Sequence, residues 1–178
     1  MSAKADKALR WSRRLSHVPR WAVAPVIKQQ NVGEHCFHSA RIAQWLMDVH
    51  AEAHRKHYPV EMELAILKKA LEHDDDEAAD GDVPSPSKPP KDYSTWSELR
   101  VFVKVCDLLE AALFLREEQL FGNRRVDDLV VDIDRRLEEA WAYFRYNGQP
   151  SNISLISLKI RLPEVLFGSH PALENPNG

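Results

Sequence analysis

Residues Val101 to Leu115 are apolar nearly all round, and a helix with no polar face has to be covered by other helices on every side. That segment demands a bundle built around it, and the rest of the chain supplies the pieces. Glu34 to about His57 lacks Gly and Pro and spaces Phe37, Ile42, Trp45, Leu46 and Val49 three to five apart, the mark of an amphipathic helix that Asn31 can cap. Glu61 to His73 repeats Met62, Leu64, Ile66, Leu67 and Leu71 after Pro59, a helix entrance. Arg124 to Tyr146 puts Leu129, Ile133, Leu137, Ala140 and Phe144 on one face and is ended by Asn147-Gly148. The expected fold class is all-α, one helical bundle over residues 1–149. Gly81 to Asp92 holds Pro84, Pro86, Pro89 and Pro90 and reads as a stiff ordered loop. Beyond Pro150, Ile156, Leu158, Ile160 and Leu162 alternate with Ser157, Lys159 and Arg161, a period of two that predicts an extended C-terminal tail over residues 150–178. An extended segment without a sheet needs partners for its backbone and its apolar face, so a homo-oligomer is expected, most simply a dimer.

Charge narrows the function classes. With 24 Lys+Arg against 27 Asp+Glu the net charge is −3, which gives no general attraction to nucleic acid or anionic lipid. Only Arg10 to Arg20 forms a local basic stretch. The composition of Met1 to Val18 has a transit-peptide flavour, but Trp21 to Ile27, the longest apolar run near the start, is broken by Pro25, too short for a membrane span and without a signal cleavage pattern. The two cysteines, Cys36 and Cys106, belong to no CxxC pair, so no structural zinc site built on thiolates is expected and a reducing, cytoplasmic setting is. Phosphate-loop, dinucleotide, nucleophile-elbow and HExxH motifs are all missing.

Asp107 is the most informative position, a carboxylate in the middle of the most apolar helix. Burying it unpaired is expensive, so a proton, a basic partner such as Lys104 one turn earlier, or a metal ion must neutralise it. Glu72-His73-Asp74-Asp75-Asp76-Glu77, running on to Asp80-Gly81-Asp82, concentrates repulsion that a cation would relieve. An EF-hand reading fails, because aligning Gly81 with its glycine puts Ala78 and Ser87 at ligand positions. Histidine with carboxylates suits Mn, Co, Ni, Fe or Zn better than Ca. His35 opens the first long helix, whereas His50, His54 and His57 lie about 22 Å or more further along it and cannot share its site; on an exposed helix end they read as solvated surface. His38 reads as a satisfied core histidine.

His35, then His73-Asp74 at a helix end, then Asp107 inside a later helix give the order H…HD…D, which resembles the HD-domain metal-dependent phosphohydrolases. The detail is most similar to the bacterial 5′-deoxynucleotidase branch: Arg20-Trp21 before Asn31-Val32-Gly33-Glu34-His35, then His73-Asp74-x-x-Glu77-x-x-x-Gly81-Asp82-Val83-Pro84-Ser85-Pro86-x-Lys88, then Lys104-x-x-Asp107, with Glu117-Glu118 also familiar. The resemblance implies that His35, His73, Asp74 and Asp107 bind one divalent ion (Mn, Co, Zn, Fe, Ni or Mg). It further implies that Glu77, Arg20 and Asp74 act in the chemistry, and that Arg20, Trp21, Asp82, Val83, Pro84 and Ser85 hold a deoxynucleotide.

The implied reaction is hydrolysis of the 5′-phosphate ester of a deoxynucleoside monophosphate, in bacterial or phage-infected cytoplasm. Lys88 to Asp107 is short for the bacterial enzymes, and compact phage HD proteins that remove triphosphate from dATP resemble the chain too. A triphosphohydrolase is therefore the alternative. A non-enzymatic alternative is a nucleic-acid-binding module using Arg10, Trp11, Arg13, Arg14, Arg20 and Trp21; it leaves Asp107 unexplained, so no stable nucleic-acid or membrane partner is expected.

Overall fold

The computed structural model describes residues 3–82 and 92–167. Helix α1 (Ala3–Leu15) is followed by a two-stranded hairpin, β1 (Pro19–Arg20) and β2 (Gln30–Asn31), in which Arg20 pairs with Gln30. Helices α2 (Val32–His54), α3 (Val60–Glu72) and the short α4 (Glu77–Asp80) precede α5 (Glu98–Leu120) and α6 (Asp127–Trp141). A second hairpin, β3 (Arg145–Tyr146) and β4 (Gln149–Pro150), leads into α7 (Leu155–Phe167).

Helix α5 is the axis of the bundle, with α2, α3 and α6 packed on it and Val101, Phe102, Val105, Leu108, Leu109 and Leu115 buried. Ser97 caps its start by accepting from the Arg100 amide. Asn31 caps helix α2, as its sequence predicts, and the structure adds the return bond of a capping box: the Asn31 side chain accepts from the Glu34 amide at 2.9 Å, and Glu34 accepts from the Asn31 amide. That reciprocal pair fixes the turn that presents His35.

Three expectations are corrected. Residues 155–167 form a helix rather than an extended tail. An alternating run i, i+2, i+4, i+6 contains two i,i+4 pairs, and each is also one stripe of a helix. Here Leu155, Leu158 and Leu162 pack on the core while Ile156 and Ile160 are 70% and 58% exposed. Even Pro163, which lacks an amide hydrogen, sits inside the helix. Helix α6 stops at Trp141, short of Tyr146, because Asn147 and Gly148 take positive φ (52° and 77°) and fold Arg145–Tyr146 onto Gln149–Pro150. That hairpin accounts for the third correction, at His50, which is fully buried rather than solvated.

His50 lies against Phe144, Tyr146 and Trp141. Its Nδ1–H donates to the Leu46 carbonyl (2.9 Å) and its Nε2 accepts from the Ser151 hydroxyl (2.8 Å). His54 is half-buried and only His57 is exposed. Burial lowers the His50 pKa from 6.5 to about 4, so as pH falls below 6.5 the unfolded chain takes up this proton first and the native state loses ground. Between pH 7 and 5 the loss from this residue is about 2 kcal/mol. Urea melts at the two pH values are expected to show this loss in the wild type and a correspondingly smaller one in His50→Gln. Among the described residues no helix is long and apolar enough to cross a membrane.

Candidate active site

Three elements converge on one point. The first turn of α2 brings His35, the end of α3 brings His73 and then Asp74, and the middle of α5 brings Asp107. His35 Nε2 stands 3.1 Å from His73 Nε2, 3.1 Å from Asp107 Oδ1 and 3.6 Å from Asp74 Oδ2. His73 Nε2 is 3.3 Å from Asp74 Oδ2 and 4.0 Å from Asp107 Oδ1. His35, His73 and Asp107 thus lie at the mutual separations of donors that share one ion at about 2.0 to 2.2 Å, with Asp74 beside the two histidines.

The hydrogen bonds behind the site decide which atoms face it. His73 Nδ1 lies 2.7 Å from the Ala70 carbonyl, which can only accept, so the proton is on Nδ1 and the Nε2 lone pair points inward. His35 Nδ1 lies between Glu110 Oε2, a very short contact, and Arg20 Nη1 at 2.5 Å. The two contacts make opposite demands on Nδ1. An unprotonated Nδ1 would put two acceptors in contact at Glu110, whereas Arg20 Nη1 already has Glu110 Oε2 at 2.8 Å to donate to. The proton therefore sits on His35 Nδ1, and its Nε2 lone pair also faces inward. Two imidazole lone pairs and two carboxylate oxygens directed at one another repel unless a cation lies among them, so the residues fit a divalent metal.

Charge behaves accordingly. Burial and Arg20 both oppose protonation of His35, yet Glu110 and the hydrogen bond to Asp107 raise its pKa above 6.5. Burial dominates at His73, whose pKa falls. Burial also works against an ionised Asp107, but Lys104, His35 and His73 outweigh it and hold the carboxyl well below the usual range. Lys104 does pair with Asp107, through Oδ2 and within the partly buried wall, while Oδ1 is left to the site.

Arg20, on β1, divides its fork: Nη1 donates to Glu110 and Nη2 stands 3.5 Å from Asp107 Oδ1, at the edge of the cluster. Trp21 has its ring buried and stacked on Phe114 at 5.7 Å, while its backbone amide donates to Asp82 Oδ2 at 2.9 Å. Glu77 is buried at the start of α4, its amide bonded to the Asp74 carbonyl at 3.0 Å. Val83, Pro84 and Ser85 lie outside the described residues. Glu118 accepts from the amides of Ile27 and Lys28, pinning the loop between β1 and β2. His38 is 55% exposed rather than a core residue, because its place on α2 opens toward solvent beside Glu110. The Cys36 sulfur lies within 4.8 Å of donor atoms on His73 and Asp74, but burial drives its thiol pKa up and keeps it neutral.

Glu110 is the participant the sequence reading missed. It takes protons from His35, Arg20 and Gln30, and burial's upward pull on its pKa is overcome by His35, His38 and Arg20. Its one signal was a second carboxylate, one turn after Asp107, in the same apolar helix.

An all-α bundle that gathers H…HD…D from three helices, with an arginine at the rim, has the fold and the residue pattern of the HD-domain phosphohydrolase class. Within that class its residues 8–95 match the family described as 5′-deoxynucleotidase YfbR-like. That match ends before Asp107, so the fourth donor rests on the geometry above. No curated protein matches the chain significantly. Among solved structures it is similar to the cyanophage S-2L HD phosphohydrolase DatZ bound to dA and one catalytic Zn2+ ion, with 21% identity, TM-score 0.60, and 93% of this chain and 96% of that one covered. It is also similar to a conserved protein of Pyrococcus furiosus (19%, TM-score 0.58, 76% and 98% covered) and to the PH0347 protein of Pyrococcus horikoshii (23%, 0.58, 77% and 94%).

Proposed function

We propose that the protein hydrolyses the 5′-phosphate ester of deoxynucleoside monophosphates and releases the deoxynucleoside. The observation that carries this reading is the pair of inward Nε2 lone pairs beside two carboxylate oxygens, with Nη2 of Arg20 paired to Asp107 at the edge of the cluster. His35, His73, Asp74 and Asp107 would hold one divalent ion, which supplies Lewis-acid polarisation of the phosphoryl group and activation of water. Arg20 Nη2 is placed to donate to a phosphoryl oxygen, favouring the charge that spreads there as the ester bond to O5′ breaks. Glu77, held one turn after Asp74, takes the proton from the attacking water. Trp21, through its buried ring, and Asp82, through the Trp21 amide, set a wall on which the nucleoside rests.

A second reading, release of triphosphate from dATP, is favoured by the near-complete coverage shared with DatZ and by the short chain between Lys88 and Asp107. The shared step is cleavage at O5′. Supplying Mn, Co, Zn or Mg with each deoxynucleoside mono- and triphosphate and separating the products decides between them. Phosphate with deoxynucleoside from the monophosphates is the expected result; triphosphate from dATP with monophosphates untouched replaces the first reading with the second.

The ion's identity, the base and the assembly belong to the same proposal. With α7 helical, the case for a homo-oligomer now rests on its outer face of Ile156, Ile160 and Val165. Light scattering at micromolar concentration is expected to give a multiple of the chain mass, and Ile156→Glu/Ile160→Glu to give a monomer.

A further inference from the structure

We infer that Glu110 is a positioning residue that locks the metal side and the phosphate side of the site to one another. The inference rests on the metal-dependent reading above and adds a residue to it. Oε2 of Glu110 takes both the His35 Nδ1 proton and an Nη1 proton of Arg20, the latter at 2.8 Å, and Oε1 takes the Gln30 amide at 2.6 Å. Arg20 and Gln30 face each other across the hairpin, and Gln30 runs directly into Asn31, the cap of the helix that carries His35. One carboxylate, itself buried, therefore holds the hairpin, the head of α2 and the middle of α5 in one register.

Two consequences follow from the chemistry. Accepting from Nδ1 fixes the His35 tautomer, so that its Nε2 is the atom presented to an ion. Engaging Nη1 leaves Nη2 as the arm of Arg20 on the cluster side, 3.5 Å from Asp107 Oδ1. Glu110 bonds His35 on the ring nitrogen turned away from the donor cluster and acts through His35 and Arg20.

The two roles separate in variants. In Glu110→Gln the amide oxygen still accepts from His35, but the charge that holds Arg20 is gone. In Glu110→Ala both are lost. The test uses the full chain in three measurements: two-bond proton–nitrogen NMR of the imidazoles at a pH where they are neutral, calorimetric titration of the metal-free protein with Mn or Co, and titration of the loaded protein with inorganic phosphate. For Glu110→Ala the expected result is a mixed His35 tautomer and metal affinity about 10- to 100-fold weaker. For Glu110→Gln the expected result is a wild-type tautomer and metal affinity, with phosphate binding about tenfold weaker. If Glu110→Ala binds metal as tightly as the wild type, or Glu110→Gln binds phosphate as tightly, the inference is overturned. Should the alanine variant fail to fold, the glutamine variant decides alone. A wild-type protein that binds no ion would defeat the functional reading, and the His35 tautomer in the two variants would still judge Glu110.

Discussion

Asp107→Asn is expected to stay folded, to bind a divalent ion at least about 100-fold more weakly than the wild type, and to hydrolyse deoxynucleotides at background rate. The side chain keeps its volume within the buried stretch of α5, so packing is preserved. What changes is charge. Oδ1 faces His35 and His73, and Oδ2 pairs with Lys104; an amide satisfies neither the ion nor the lysine. Asp107→Ala is expected to do more harm, losing about 3 to 5 kcal/mol of stability because Lys104 is left partly buried without its partner. Thermal melts with and without Mn separate the effects. Ion binding stabilises the wild type by about 2.7 kcal/mol at a hundredfold excess over the dissociation constant, and this increment is expected to vanish in the asparagine variant. An Asp107→Asn protein with normal metal content and turnover contradicts the assignment.

Glu77→Ala is expected to lower the turnover rate by about 10² to 10⁴ while leaving metal and nucleotide affinity within a few-fold of the wild type. Glu77 is buried and its backbone amide is bonded to the Asp74 carbonyl, which seats it next to one of the proposed donors without making it one of them. Glu77→Gln, which keeps the shape and loses the basic oxygen, is expected to fall as far as alanine. Steady-state kinetics at saturating metal, with calorimetry on the same samples, checks both halves. If the metal is lost while turnover per bound ion is unchanged, Glu77 is a ligand and not a proton acceptor.

The parts of this site that could be read from the sequence are those with a cost attached to them. Asp107 stood out because a carboxylate in an apolar helix needs a partner, and His73-Asp74 because it opens an acidic run that repels itself. Asn31 was legible as a cap, since capping is settled within four residues. Glu110 escaped because its three partners come from the hairpin and from α2, 75 to 90 positions away in the chain. His50 was misread for the same reason: the residues that bury it, Phe144 and Tyr146, arrive with a hairpin far downstream. Helix α7 was misread because alternation and helical stripes overlap over seven residues, and only packing of Leu155, Leu158 and Leu162 against the core separates them.

Equilibrium dialysis of the full-length wild type against Mn, with dAMP hydrolysis followed in the same samples, tests the central claim most directly. The account predicts one ion per chain, with hydrolysis rising in proportion to bound ion and both abolished by chelation. Hydrolysis that persists in the metal-free protein, or a chain that binds no ion, would contradict it.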